Sequence, residues 1–282
     1  MILVFGKTGQ ISMELQRLGN VLALGRDQAD LSNPVACGQS IRYFSPSAVI
    51  NAAAYTAVDK AETDERTATI INGESPTVIA QVCSQMKIPF LHISTDYVFE
   101  GSGTTPWKPC NEKAPQNAYG RSKLVGENGI LNSGAIHAIL RTSWVFSVHG
   151  SNFVKTMLRL SETQDRLCVV KDQIGGPTPA RDIAIACLTI INQLQKDPSK
   201  SGTYHYSGKP DISWAKFASE IFKQVSRSIT IIPITTTEYP MPAKRPLNSR
   251  MDCRLTYSTF GIERPNWHLG LKQMIKELEV TL

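Results

Sequence analysis

The chain has 282 residues, 41% hydrophobic and 19% charged, a globular composition with no low-complexity tract or fixed-period repeat. Lysine and arginine outnumber acidic residues 30 to 24, for a net charge of +6 and a pI near 9.0. That balance fits an anionic ligand or simply a solvated basic face; without a helix-turn-helix, zinc finger, aromatic RNA-binding signature or basic block, nucleic acid is not the expected partner.

The six cysteines, Cys37, Cys83, Cys110, Cys168, Cys187 and Cys253, contain no C-x-x-C pair. They predict neither a zinc site nor a disulfide framework and read as reduced core thiols. No apolar run reaches spanning length and the first residues read directly as a strand, so the expectation is no membrane and a cytoplasmic location.

Short apolar runs at Ile2–Phe5, Val21–Leu24, Ala48–Asn51, Phe90–Ile93 and His137–Leu140 read as buried parallel strands, with amphipathic helical stretches between them. The alternation predicts an α/β protein with a doubly wound parallel sheet, whose ligands sit beyond the carboxyl ends of the strands. After about Arg141 the rhythm loosens into helical stretches near Asn152–Ser161, Arg181–Gln195, Ser213–Ser226 and Leu269–Leu278. Tyr239–Arg250 carries three prolines and reads as an irregular loop over a ligand site. The division predicted is a nucleotide-binding domain over 1–145, with parts of 155–205 returning to it, and a smaller substrate-binding lobe over 146–282.

The first strand ends in Gly6-Lys7-Thr8-Gly9-Gln10-Ile11-Ser12. In such a turn, glycine lets the backbone approach a pyrophosphate and the helix N-terminus offers unpaired N–H donors. The spacing G-x-x-G-x-x-S departs from the dinucleotide fingerprint and puts Ser12 where a third glycine often stands. The second strand ends in Gly25-Arg26-Asp27. The Arg26 guanidinium suits a 2′-phosphate and leans the site to NADPH, while Asp27 leaves NADH open. Asp30-Leu31 and Ala52-Ala53-Ala54 also fit a nucleotide groove, the alanines serving either close cofactor approach or helix–sheet packing.

The fourth strand runs into Ser94-Thr95-Asp96-Tyr97. Downstream, Tyr119 is the one tyrosine of eight with a lysine, Lys123, four residues later, a spacing that puts both on one helix face. A carbonyl that accepts hydride develops negative charge on oxygen and needs a proton donor; a phenol beside an ammonium supplies one. Thr95 can hold the same oxygen, with Ser94 as the neighbour able to replace it.

Gly6–Gln10, Asn51–Glu62, Ser94–Phe99 and Tyr119–Lys123 resemble the dTDP-4-dehydrorhamnose reductases, which belong to the extended short-chain dehydrogenase/reductase superfamily. The likeness continues through Arg141–Trp144, Asn152–Phe153, Lys155–Leu160, Pro177-Thr178 and Arg245–Arg250, nearly the whole chain. It implies a Rossmann-type fold and NADPH-dependent reduction of the C4 ketone of dTDP-4-dehydro-6-deoxy-L-mannose, yielding dTDP-L-rhamnose for surface polysaccharide such as lipopolysaccharide. It further implies Tyr119 as acid and Lys123 as its support and ribose contact. Gly6, Gly9, Gln10, Ile11, Arg26, Asp30, Leu31 and Ala52–Ala54 fall to the cofactor. Val58, Thr95, Asp96, Tyr97, Trp144 and Asn152 fall to the sugar, Trp144 serving equally as core. Arg250, with Lys244 and Arg245, falls to the diphosphate or to a solvated loop.

Some relatives form dimers through magnesium-bound glutamates. Glu14 and Glu277 match, but Ala180-Arg181 stands where the middle acid is expected, so the expectation is no metal and a monomer, with a homodimer as the alternative. Two other activities stay open: a sister reductase making dTDP-6-deoxy-L-talose, and a non-catalytic NADP-binding regulatory subunit.

Overall fold

The computed structural model describes residues 1–281. In chain order the first half is β1 (Ile2–Phe5), α1 (Gln10–Leu18), β2 (Val21–Leu24), α2 (Pro34–Phe44), β3 (Ala48–Asn51), α3 (Val58–Ala61), α4 (Glu65–Thr69), a π-helical turn (Ile70–Glu74), α5 (Ser75–Met86), β4 (Phe90–Thr95), α6 (Ala118–Leu131) and β5 (His137–Thr142). The second half adds β6 (Val145–Phe146), α7 (Phe153–Leu160), β7 (Arg166–Val170), β8 (Ile174–Gly175), β9 (Thr178–Pro179), α8 (Ala180–Lys196), β10 (Gly202–His205), β11 (Ile212–Ser213), α9 (Trp214–Gln224), β12 (Thr230–Ile234), β13 (Asn248–Ser249), α10 (Arg254–Phe260) and α11 (Trp267–Thr281).

Six strands form one sheet in the order β10-β5-β4-β3-β1-β2, every pairing parallel. The strands are near-continuous apolar runs because both faces are covered. On one face α1 and α8 bury Leu15, Ile183 and Ile190 against Val4, Ile50 and Leu140. On the other, α2 and α5 bury Ile41 and Ile79 against Leu3, Val49 and Ile139. The chain runs from β1 outward to β2, then crosses to β3 on the opposite side, so the strand order reverses between β1 and β3 and opens a crevice at their carboxyl ends. All five strands read from the sequence are present; β4 and β5 each run two residues further, to Thr95 and Thr142.

α8 carries the chain back to the large sheet and delivers β10 to its edge beside β5. A second core joins α7, α9 and α11 to the parallel pair β7 and β12, with Phe217 and Trp267 fully buried at its centre. The Trp267 indole donates to the Pro210 carbonyl at 2.7 Å, which satisfies its one polar group. The segment 239–250 is irregular except for β13, which pairs with β8. Four cysteines are buried, but Cys110 and Cys168 are exposed, correcting the reading of all six as core thiols. Cys168 lies on the outward face of β7, whose burial alternates along the strand. No helix among the described residues is long and apolar enough to cross a membrane.

Candidate active site

One cleft of about 930 Å³ lies across the carboxyl ends of β1, β2, β3 and β4. All the residues assigned above to a cofactor line it. Gly6 has φ +103°, a backbone conformation that side chains disfavour. A Cβ there would stand 2.8 Å from the Ser12 Oγ and 3.2 Å from the Ala53 Cβ. Ser12, fully buried, is therefore accommodated because Gly6 has no side chain, and its hydroxyl has no hydrogen-bond partner. Gly9 caps α1 without a side-chain bond, so the first-turn N–H groups of α1 face the cleft unpaired, a fit for a pyrophosphate. Arg26 and Asp27 are exposed and line the cleft beyond β2.

The opposite wall is set by β4 and α6. Thr95 ends β4; its Oγ1 accepts from the Tyr97 N–H at 3.2 Å and donates to the Asp96 Oδ1 at 3.2 Å. Ser94, the alternative to Thr95, is engaged elsewhere: its hydroxyl donates at 2.5 Å to Glu127, which is locked in a buried ion pair with Arg141 at 2.6 Å. Thr95 is thus the strand hydroxyl left beside the reacting position.

Helix α6 is held tightly to this wall. Asn117 caps it by accepting from the Gly120 N–H at 2.8 Å, and a side chain at Gly120 would collide with the Tyr97 carbonyl. Asn72, in the π-helical turn, donates to the Ser122 hydroxyl at 3.0 Å, and a side chain at Gly126 would collide with the Asn72 carbonyl. The phenol of Tyr119 is thereby fixed, its ring edge-on to Tyr97 at 5.5 Å. Burial pushes Tyr119 up to about 12, a hydrogen bond with Thr95 works the other way, and the Asp96 charge adds to the rise. Burial also raises Asp96 to about 6.

Lys123 is almost fully buried. Its Nζ donates to the Ile93 carbonyl at 2.7 Å and lies 3.0 Å from the His92 Nε2. Burial lowers its pKa to about 7, against an upward pull from Glu127. The ammonium expected beside the Tyr119 phenol is therefore directed at the strand behind it, and no lowering of Tyr119 by Lys123 is seen. Sequence reasoning gave no role to His92, since a lone histidine inside an apolar strand is usually a packed core residue.

Of the residues assigned to the sugar, Val58, Thr95, Asp96, Tyr97 and Trp144 line the cleft. Trp144 has φ +52°, an outlier for a bulky residue that recurs at functional positions. Its ring stacks on Trp214 with centroids 3.5 Å apart. Trp214 also lines the cleft; the sequence placed it at a helix start and offered no signal for the site.

Asn152 itself does not line the cleft, although Gly150 and Ser151 just before it do. Its Oδ1 accepts from the Lys155 N–H at 3.2 Å as the cap of α7, and its amide nitrogen donates to the Gln10 Oε1 and the Ser147 carbonyl. Arg250 does not line it either: its guanidinium donates to the Asn248 Oδ1 at 3.0 Å. Arg245 pairs with Asp59 at 2.6 Å and Lys244 donates to Gln116 at 3.1 Å, while Pro246 and Ser249 of the same loop line the cleft.

Glu14 and Glu277 do approach each other, but the Arg17 guanidinium stands between them, 3.4 Å from Glu14 and 2.6 Å from Glu277. Asp182 adds an acid beside Glu14, its carboxyl raised by burial. No group of three or more histidine, cysteine, aspartate or glutamate side chains among the described residues is arranged to hold a metal ion. With a guanidinium already between the two glutamates, this donor set does not fit magnesium.

A glycine turn at the switch point of a parallel sheet, facing a tyrosine and a lysine across one cleft, defines a dinucleotide-binding α/β protein of the oxidoreductase class. The chain belongs to the RmlD substrate binding domain family, whose model matches residues 1–280. It is 41% identical to a dTDP-4-dehydrorhamnose reductase of Sinorhizobium fredii, over 96% of this chain and 95% of that one. A crystal structure of a dTDP-4-dehydrorhamnose reductase from Clostridium acetobutylicum superposes with a TM-score of 0.92 at 37% identity, covering 99% of each chain. One from Bacillus anthracis, in complex with NADP, superposes with a TM-score of 0.91 at 32% identity, covering 98% of each.

Proposed function

We propose that the protein reduces the C4 ketone of dTDP-4-dehydro-6-deoxy-L-mannose with NADPH, in the cytoplasm, to give dTDP-L-rhamnose for surface polysaccharide. The observation that carries the reading is the Tyr119 phenol, held on a clamped helix against Thr95 in the same cleft as the glycine turn. NADPH, when bound, would supply the hydride. Gly6, Gly9 and the free N-terminus of α1 would hold its pyrophosphate and Arg26 its 2′-phosphate, with Ala52–Ala54 allowing close approach.

Tyr119 gives its phenolic proton to the ketone oxygen as negative charge develops there; at about 12 the phenol is protonated at neutral pH, as an acid must be. Thr95 turns its hydroxyl from Asp96 toward the same oxygen, fixing the carbonyl. Trp144, on its Trp214 backing, forms an apolar wall for the sugar with Val58 and Tyr97, and the lobe mainly over 146–282 closes around the nucleotide. Lys123, which lines the same cleft, would contact the nicotinamide ribose. The Arg17 bridge supports a monomer, since the guanidinium occupies the place between the two glutamates that a bridging cation would take.

The test is NADPH oxidation, followed optically, on adding the dTDP-4-keto sugar to purified protein. Turnover with a rhamnose-configured product by NMR is expected. A talose-configured product would move the protein to the sister reductase, and binding of NADPH without turnover would make it a binding subunit.

A further inference from the structure

Behind the cleft, Asn51, His92 and Lys123 form a chain of three buried polar side chains. Asn51 and His92 are fully buried and Lys123 is 1% exposed. The His92 Nδ1 lies 3.2 Å from the Asn51 Nδ2, and its Nε2 lies 3.0 Å from the Lys123 Nζ. The Asn51 amide is oriented by the Ala53 backbone, whose N–H donates to the Asn51 Oδ1 at 3.1 Å.

We propose that His92, pinned by Asn51, holds Lys123 as a neutral amine in the free protein, and that charging Lys123 makes His92 move its ring proton and Asn51 turn its amide away from Ala53.

With the Asn51 oxygen committed to Ala53, its nitrogen faces His92 and can only donate, so Nδ1 must accept. A neutral imidazole carries one N–H, which must then sit on Nε2, facing Lys123. An ammonium has three donors and no lone pair; set against Nε2–H it would put donor against donor where water cannot help, a costly arrangement. A neutral amine accepts from Nε2–H and still donates to the Ile93 carbonyl at 2.7 Å.

The other assignments each break a bond. An imidazolium would point Nδ1–H at the Asn51 nitrogen, and both burial and Lys123 oppose a charge on His92. A charged Lys123 donating to Nε2 would put the ring proton on Nδ1. Asn51 would then have to present its oxygen there and its NH₂ to the Ala53 N–H. The groups that face Lys123 leave this logic intact. Tyr119 and Glu127 share its helix, Glu127 is committed to Arg141 at 2.6 Å, and Asn51 carries no charge. Burial brings Lys123 to about 7, so the two states exchange near neutral pH.

Ala53 lines the cleft, so the charge of Lys123 is linked through two buried side chains to a backbone donor on the cofactor wall. His92 is a positioning residue that acts through Lys123. Its consequence for reduction rests on the role given to Lys123 above, whereas the tautomer itself does not.

The test is a ¹⁵N spectrum of the free protein with labelled histidine, the His92 signals being assigned by their loss in His92→Leu. About one pH unit above the Lys123 midpoint, Nε2 should carry the proton and Nδ1 should be bare, and the proton should move to Nδ1 as Lys123 charges. A ring protonated on Nδ1 throughout, or one indifferent to the Lys123 titration, overturns the proposal. With lysine ¹³C-labelled at Cε, Asn51→Leu frees the ring to accept from an ammonium and should raise the Lys123 midpoint by about one unit or more, a tenfold shift in the equilibrium. An unmoved midpoint also overturns it. If Asn51→Leu fails to fold, the spectrum of the unaltered ring decides alone. Both readouts use protein without substrate, so their failure and a failure of NADPH turnover are distinguishable.

Discussion

Two regions of the molecule were readable as site-forming, the α6 wall with Tyr119 and Lys123, and the basic loop 239–250 with Lys244, Arg245 and Arg250. The first brings both of its residues into the cleft; the loop brings Pro246 and Ser249 there, but none of its three cations. On α6 the four-residue spacing became a shared face because the helix is clamped by Asn72 and by two glycines that admit no side chain. In the loop, position is decided by distant partners: Asp59 takes Arg245, Gln116 takes Lys244 and Asn248 takes Arg250. Spacing carries over into geometry on a regular element; in a loop, charge alone does not say what the charge will meet.

The comparison can be broken most sharply on the helix side. Tyr119→Phe should lower kcat by roughly 10²- to 10⁴-fold, the usual worth of a positioned proton donor, while NADPH binding, followed by fluorescence, stays unchanged. A variant that keeps its rate would remove the phenol from the chemistry. Thr95→Val keeps the shape and deletes the hydroxyl, and should lower kcat by on the order of 10²-fold. Wild-type kcat in that variant would return the role to Ser94 or to neither.

Effects on folding come next. His205 is held at about 3 by burial and by the Arg141 charge, against its ordinary 6.5, and burial lowers His92 well below 6.5 too. The unfolded chain therefore takes up protons that the folded chain refuses. The stability these two histidines provide is complete above pH 6.5 and is lost as the pH falls toward 3, each with a slope of at most about 1.4 kcal/mol per pH unit. Asp96, raised from 3.8 to about 6, and Asp182, also raised by burial, oppose them within their own windows, while Asp252, held low by Arg254, adds to the loss. Urea midpoints measured from pH 6.5 downward should fall, and a flat profile would contradict the buried neutral histidines.

On the loop side and around α7 the expected effects are small, which is itself the test. Asn152→Ala should cost about 1 kcal/mol of stability through loss of the α7 cap with little change in KM for the sugar nucleotide. Arg250→Ala should leave that KM within about twofold, the range of a solvent-screened charge. A tenfold rise in KM for Arg250→Ala would show that the loop reaches the diphosphate and would sink the contrast drawn here.

Much of the fold was legible because buried parallel strands have a plain signature: Ile2–Phe5 and Ala48–Asn51 are unbroken apolar runs, and their order with the intervening helices sets the switch point. β13 was not legible, because two residues beside three prolines carry no period. Trp214 and Asn152 show a different limit. Trp214 reaches the cleft by stacking on a residue 70 positions away, and Asn152 has the amide expected of a ligand contact but spends it on a helix end and on Gln10. His92 was hidden for a third reason: its meaning lies in which nitrogen faces which partner, and that needs coordinates.

The most direct test of the account follows the hydride itself. NADPH carrying deuterium at the transferable position of the nicotinamide should, in one turnover with the dTDP-4-keto sugar, leave that deuterium on C4 of the product. Deuterium at another carbon, or a product without label, would contradict a cleft built to deliver hydride to C4 and a proton to its oxygen.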